Sequence, residues 1–210
     1  MPGRVIAIDG PAASGKSSVS RGVAARLGFL FVSSGHFYRT FAWGAVRARI
    51  TPEEASSWIA GRSLQVLRTP GGISLVLDGE DATPHLSDPE VAAMVSPLAA
   101  VPAVRDTVNA RLRALAGEHD LVMEGRDIGS VVFPDTAWKF YLDASPEERS
   151  RRRAREGAVD SVAERDRLDS TRATAPLTIP EGAIVIDTTH LGLDGVISAV
   201  LERINAGGVR

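Results

Sequence analysis

The stretch "IAIDGPAASGKSSVS", Ile6 to Ser20, constrains the fold of this chain more than any other. An apolar run closes at Asp9, and the residues that follow, Gly10, Pro11, Ala12, Ala13, Ser14, Gly15, Lys16 and Ser17, satisfy the pattern GxxxxGK(S/T) in full. Set after a predicted strand and before a predicted helix, the pattern has a mechanism. Small residues let backbone N–H groups turn inward on one anion, and the helix N-terminus adds its dipole. Lys16 then reaches the terminal phosphates of a nucleoside triphosphate, Ser18 joins it in the first turn, and the Ser17 hydroxyl meets Mg²⁺. The bland alternative is a Gly/Ser-rich turn that happens to carry a lysine; the complete pattern in the right context argues against it.

Beyond this loop, short runs rich in β-branched and aromatic residues alternate with longer runs of helical periodicity. Val5 to Ile8, Phe29 to Val32, Leu121 to Met123, Trp138 to Leu142 and Ala183 to Ile186 read as buried strands. Helices are expected at Lys16 to Leu27, His36 to Ala48, Val104 to Ala116, Glu147 to Arg155, Val162 to Arg172 and Gly195 to Ile204. The alternation predicts an α/β fold with a parallel sheet covered on both faces. "TPEE" at Thr51 and "SPEE" at Ser145 each offer a capping hydroxyl, a proline at the first helical position and a glutamate three residues after the cap, which predicts a helix start at both. Leu64 to Asp88 breaks the alternation: two apolar strands flank Pro-Gly-Gly, with a second turn at Asp78-Gly79, so a β-hairpin excursion is expected there.

With 210 residues and 44% hydrophobic content, the chain can build one sizeable core with a small insertion. A net charge of −2 provides no broad positive field, so no nucleic-acid partner is expected. Cysteine is absent, which removes disulfides, thiolate metal sites and thiol nucleophiles together. His36, His85, His119 and His190 lack metal-ligand spacing and read as surface or turn residues. Neither a signal peptide nor a membrane-spanning run is visible, so a soluble cytoplasmic protein without a membrane partner is expected.

A phosphate loop does not by itself choose between a GTPase switch, a motor ATPase and a small kinase. There is no Asn-Lys-x-Asp run, the chain is short for a motor, and no core strand closes on an Asp in the Walker B manner, although Glu124 and Asp143 lie near strand ends. The balance moves toward a kinase. Nearly all the basic residues are arginines, which suit forked contacts to phosphates and base edges. In "SSGHFYR", Ser34 and Arg39 fit a second anion-binding helix start, or an ordinary N-cap with a surface arginine. "EGRDIGSVVFPD" places Arg126 and Asp127 at the carboxyl end of a core strand, where open α/β sheets bind ligands. Arg165, Asp169 and Arg172 share one helix face, as do Arg149 and Arg153; both sets suit a solvated charge ladder as well as a site. Ser96 and Arg105 lie in "MVSPLAAVPAVR", where two prolines predict a bend and spacing assigns no role. Asp187 suits a turn cap or the adenine end of a nucleotide site.

Taken together, "IAIDGPAASGKSSVS", "SGHFYR", "TPGG…DGED", "SPLAAVPAVR", "EGRDIGSVVFPD", "RDRLDSTRATAPL" and "AIVIDTT" resemble the bacterial cytidylate kinases, the (d)CMP kinases of the nucleoside monophosphate kinase group. The resemblance runs over nearly the whole chain. It implies a three-layer P-loop α/β/α fold with a five-stranded parallel sheet. The core would span about residues 1–62 and 97–210, with an insertion that binds the nucleoside monophosphate at about 63–96 and a short lid at about 153–164. It implies ATP and CMP or dCMP as substrates, Mg²⁺ as cofactor, and a monomer. The phosphate-loop residues Gly10 to Ser18 bind ATP, joined by Arg149 on the helix face it shares with Arg153; the remaining contacts follow by match to the family motifs. Ser96, Arg105 and Asp127 contact cytosine, Arg165 and Asp169 the sugar, and Ser34, Arg39, Arg126 and Arg172 the acceptor phosphate. Lys16, Arg126, Arg172 and Arg153 assist transfer. Three departures stand out. Ser33 occupies a position where the family usually has Asp, "HLSDPEV" lacks an arginine common before "PEV", and the stretch between Arg155 and Arg165 is short. Another small kinase acting on UMP, AMP or a non-nucleotide acceptor, or a nucleotide-binding regulator, are the competing expectations.

Overall fold

Val5–Asp9 is buried along its whole length, and its apolar side chains divide between two faces: Val5 and Ala7 enter one core cluster, Ile6 and Ile8 the other. A strand covered on both faces reads as an unbroken apolar run and needs a partner on each edge. In the computed structural model, which describes residues 3–155, 167 and 177–207, this strand (β1) is the centre of a five-stranded parallel sheet. From one edge the order is β2 (Leu30–Ser33), β6 (Leu121–Gly125), β1, β7 (Trp138–Asp143) and β8 (Ile184–Asp187). The register sets Asp9 beside Gly125 of β6 and Tyr141 of β7, so β1 and β6 end level where the phosphate loop leaves β1, while β7 runs two residues further.

Helices α1 (Lys16–Leu27) and α7 (Leu193–Ala206) cover the face carrying Ile6, Ile8, Val122 and Phe140. On the opposite face α2 (Ser34–Ala48), α4 (Pro89–Ala99) and α5 (Pro102–Glu118) pack over Ala7, Val32 and Met123. The three-layer α/β/α expectation therefore holds, with the ends of the described elements displaced by a residue or two; β8, expected to be buried, is largely exposed because it is an edge strand paired only with β7, and the helix expected at Val162 to Arg172 lies almost wholly outside the described residues. No single helix among the described residues is long and apolar enough to cross a membrane.

At Ser145 the expected start is in place: the Ser145 hydroxyl accepts the N–H of Glu148 at 3.2 Å, and α6 (Pro146–Arg155) follows. Thr51 does not start a helix. Glu54 Oε2 does reach back to the Thr51 N–H at 3.0 Å, but Glu54 and Ala55 donate to the carbonyls of Thr51 and Pro52, three residues back. That tight turn delays α3 to Ala55–Ala60. Only the second proline of "SPLAAVP" bends the chain. Pro97 sits inside α4, whereas Pro102 opens α5, and the two axes turn by 100° at the break.

The hairpin is β3 (Leu64–Thr69) and β4 (Gly72–Leu77), extended by β5 (Glu80–Asp81) into a three-stranded antiparallel sheet. Gly72, at φ 133°, sits so close to β2 that a Cβ there would lie 2.9 Å from the Phe31 carbonyl oxygen. Leu75 and Leu77 are buried in the core cluster on the α2 side.

Candidate active site

The loop leaves β1 under steric compulsion. A Cβ on Gly10 would lie 2.1 Å from the Leu142 carbonyl oxygen, so no larger residue fits between the loop and β7. The backbone then passes through left-handed Ala13 (φ 58°) and Gly15 (φ 89°) before α1 begins at Lys16. Lys16 is buried, and its Nζ donates to the Pro11 carbonyl at 2.9 Å across the loop. Three residues brace the loop from the β7–β8 side. Thr188 Oγ1 donates to the Ser14 carbonyl at 3.0 Å, Arg152 holds Thr188 by Nη1 at 3.0 Å and Nη2 at 2.7 Å, and Arg149 Nη1 reaches the Ala12 carbonyl at 3.3 Å. A loop whose carbonyls are tied outward can leave its N–H groups facing the cleft.

Beside the start of α1, Glu124 at the end of β6 accepts two hydroxyl hydrogen bonds on one oxygen, from Ser17 at 3.1 Å and Ser33 at 2.5 Å. Its residue is only 6% exposed, and among the described residues it makes no ion pair. A buried carboxylate satisfied by neutral hydroxyls and not by a basic group favours a cation nearby. His36 does not supply one: burial holds its pKa below the usual value, Glu124 pulls it up, and Arg39 and Arg21 push it down. Ser33 is the residue that caps α2, yet its hydroxyl does not cap; it serves Glu124.

The opposite wall is assembled from distant segments. Arg105 of α5 pairs with Asp127, both side chains being nearly inaccessible. Arg39 of α2 donates to the Leu86 carbonyl at 2.7 Å, tying that helix to the segment before α4. Asp127 opens a wide, π-helical turn, Ile128–Val132. The turn is fixed at its start by Asp9, whose two carboxylate oxygens accept the N–H groups of Ile128 at 2.8 Å and Gly129 at 2.7 Å. Its far end is fixed by Arg113, which donates to the carbonyls of Val132 at 3.0 Å and Val131 at 2.9 Å. Burial raises the Asp9 carboxyl to about 7, the two N–H bonds oppose that rise, and Asp127 adds to it while Lys16 subtracts.

These walls enclose a cleft of about 280 Å³ that brings together Ala12, Ala13, Gly15, Lys16, Ser17, Ser18, Ser34, Arg39, Ser96, Arg105, Arg126, Asp127 and Arg153. Gly10, Pro11 and Ser14 form the body of the loop behind it, and the buried Ser14 hydroxyl has no hydrogen-bond partner among the described residues. Arg149 does not line the cleft; its guanidinium donates to the Ala12 and Ala144 carbonyls. Arg165, Asp169 and Arg172 lie outside the described residues, as does most of the expected lid. Sequence reading missed the cleft positions of Tyr38 and His36, the latter having been expected at the surface, as well as the braces Arg152 and Thr188. Asp187 caps a turn, accepting the Thr189 N–H at 2.8 Å. Among the described residues no cluster of three metal-binding side chains occurs.

Comparison with known proteins agrees with this geometry. A model of the family described as cytidylate kinase matches residues 6–206. A cytidylate kinase from Thermus thermophilus is 43% identical over 210 residues, covering 95% of this chain and 98% of its own. One from Pelotomaculum thermopropionicum is 41% identical over 217 residues, covering 96% of each chain. Two solved structures share the fold at 17% identity and TM-score 0.53: a gluconokinase from Sinorhizobium meliloti, covering 98% of this chain and 95% of its own, and a shikimate kinase from Acinetobacter baumannii in complex with shikimate, covering 99% and 96%. With the family match spanning both the phosphate loop and the arginine-lined wall, the chain belongs to the cytidylate kinase family.

Proposed function

We propose that this protein transfers the γ-phosphoryl group of ATP to the 5′-phosphate oxygen of CMP or dCMP, giving CDP or dCDP and ADP. The observation that carries the reading is the shared cleft: a braced phosphate loop on one wall faces Ser34, Arg39, Ser96, Arg105, Arg126 and Asp127 on the other. Two anionic groups must meet between those walls. An acceptor phosphate is already a nucleophile, so the protein needs alignment and charge compensation more than a strong base.

On the donor side, the loop N–H groups and Lys16 take the triphosphate, the Lys16 amine exchanging the Pro11 carbonyl for phosphate oxygen. On the acceptor side, Arg105 and Asp127 present a donor fork and a carboxylate, with Ser96 alongside. That set matches the carbonyl, ring nitrogen and exocyclic amine of cytosine; an ionised Asp127 would repel the carbonyl that uracil carries in place of the amine. Ser34, Arg39 and Arg126 hold the acceptor phosphate, with Arg172 completing that set and Arg153 compensating charge during transfer. Arg165 and Asp169 take the sugar. Ser17 and Glu124 would hold Mg²⁺, Ser17 through its hydroxyl and Glu124 through its carboxylate. A site with few protein ligands suits a cation that keeps waters and phosphate oxygens around it. When bound, Mg²⁺ neutralises charge on the β- and γ-phosphates. The hairpin region, about 63–96, acts as the acceptor-side insertion, and about 153–164 as the lid.

The test is ADP release with Mg²⁺ and ATP against CMP, dCMP, UMP, AMP and no acceptor. Release with CMP or dCMP well above the others is expected. Equal release with UMP or AMP would overturn the base assignment, and release independent of acceptor would overturn the transfer itself.

A further inference from the structure

Asp9 lies where β1 ends and is fully buried, yet it does not itself line the cleft. Its neighbours in register are Gly125 and Tyr141, and the next residue, Gly10, begins the phosphate loop. Each of its carboxylate oxygens accepts one backbone N–H, from the consecutive residues Ile128 and Gly129. Those are the first amides of the turn that follows Arg126 and Asp127, and such leading amides lack partners within a helical turn. A carboxylate is acceptor-only and offers two equivalent oxygens, so it satisfies both donors at once; no other side chain of that size does.

We infer that Asp9 is a positioning residue for phosphoryl transfer: its carboxylate pins the head of the 128–132 turn, sets Arg126 and Asp127 against the acceptor, and ties that wall to the phosphate loop one residue away. The inference rests on the transfer reading above and assigns the acceptor wall a support that belongs to the donor strand. Because β1 ends at Asp9 and the phosphate loop starts at Gly10, the support of one wall and the start of the other are joined by a single peptide bond. The carboxylate's charge has a cost, visible in the raised pKa, and the charged groups bearing on it are Asp127 from the turn and Lys16 from α1. Burying a charge that does not touch a ligand is an expense consistent with a role in placing those that do.

Asp9→Asn tests this. The carboxamide keeps the shape but replaces one acceptor oxygen with an NH₂ donor, which faces an N–H it cannot satisfy. The expected result is an acceptor KM raised roughly tenfold or more, the loss of one charge-assisted hydrogen bond, with ATP KM changed less than threefold on the same order-of-magnitude scale. The wild-type kcat/KM for the acceptor should also fall as pH drops through the Asp9 titration, and this limb should flatten in the variant. A second measurement does not depend on activity or on the variant's folding. In wild-type protein, the backbone amide resonances of Ile128 and Gly129 should shift together with pH, with a common midpoint near that of Asp9. Unchanged acceptor KM in a folded Asp9→Asn protein, or amides at 128 and 129 that do not titrate, would overturn the inference. Loss of the transfer reading alone would leave the amide titration intact.

Discussion

The two walls of the cleft are built in opposite ways. The donor wall is one contiguous stretch, residues 10–18, that turns off a central strand and is held from behind by Thr188, Arg152 and Arg149. The acceptor wall draws Ser34 and Arg39 from α2, Ser96 from α4, Arg105 from α5 and Arg126 and Asp127 from the end of β6. A contiguous wall can lose a functional group without losing its shape, because backbone geometry and outward bonds make the site. In the assembled wall the groups proposed to bind the acceptor are also the joints. Arg105 and Asp127 bind each other, and Arg39 fastens α2 to Leu86, so removing either function removes structure.

That contrast is open to direct attack, and the hardest blow falls on the assembled side. Arg105→Ala breaks a buried ion pair, so thermal or urea unfolding should show a stability loss of about 3–5 kcal/mol along with weakened acceptor binding. If the variant loses binding at full stability, the joints and the binding groups are separable after all. Lys16→Ala should do the reverse: turnover falls by roughly 100-fold or more while the unfolding midpoint and acceptor affinity stay close to wild type. A large loss of stability there would erase the distinction.

The strand shared by both walls gives the next test. The Asp9 carboxyl, ordinarily at 3.8, is raised to about 7 in the folded protein, so between those values the folded state holds a proton that the unfolded chain has released. Its contribution to stability is therefore complete below about pH 4 and lost as pH rises through about 7. The urea midpoint should decline from about pH 4 to about pH 7 more steeply in wild type than in Asp9→Asn. Equal slopes would show that another group governs this window. Glu124→Gln should raise the Mg²⁺ concentration needed for half-maximal ATP binding, read by calorimetry, by roughly tenfold. An unchanged requirement would move the cation away from Glu124. Smallest is Thr188→Val, which cuts the tie from Arg152 to the Ser14 carbonyl and should cost about 1 kcal/mol and a few-fold in ATP affinity.

What could be read from sequence follows the same division. The donor wall was legible because its residues are adjacent and the pattern has a local mechanism, and the buried strands were legible because a strand covered on both faces has no polar positions to interrupt it. Arg126 and Asp127 were visible as charges in a glycine-flanked turn after a core strand. The supports were not. Asp9 meets its partners across |i−j| of 119 and 120, and Thr188 meets Ser14 across 174, separations at which spacing says nothing. Glu124 offered a faint signal, an acid closing an apolar run beside the phosphate-loop strand, but its two serine partners come from other elements. "TPEE" failed for a different reason. Its cap chemistry is partly present, but the i→i+3 bonds at Thr51 and Pro52 win the first turn.

One feature of the phosphate loop reaches into the protein's covalent chemistry. Of the 24 basic residues only Lys16 and Lys139 are lysines. Lys139 is engaged with the Glu181 carbonyl at the molecular surface, whereas Lys16 is buried against the Pro11 carbonyl. A chain so rich in guanidinium and so poor in amine is nearly silent to acylating reagents. Any amine-directed label that enters the cleft therefore marks a single nitrogen there, and the rate at which nucleotide shields that nitrogen reads out loop occupancy in an unmodified protein.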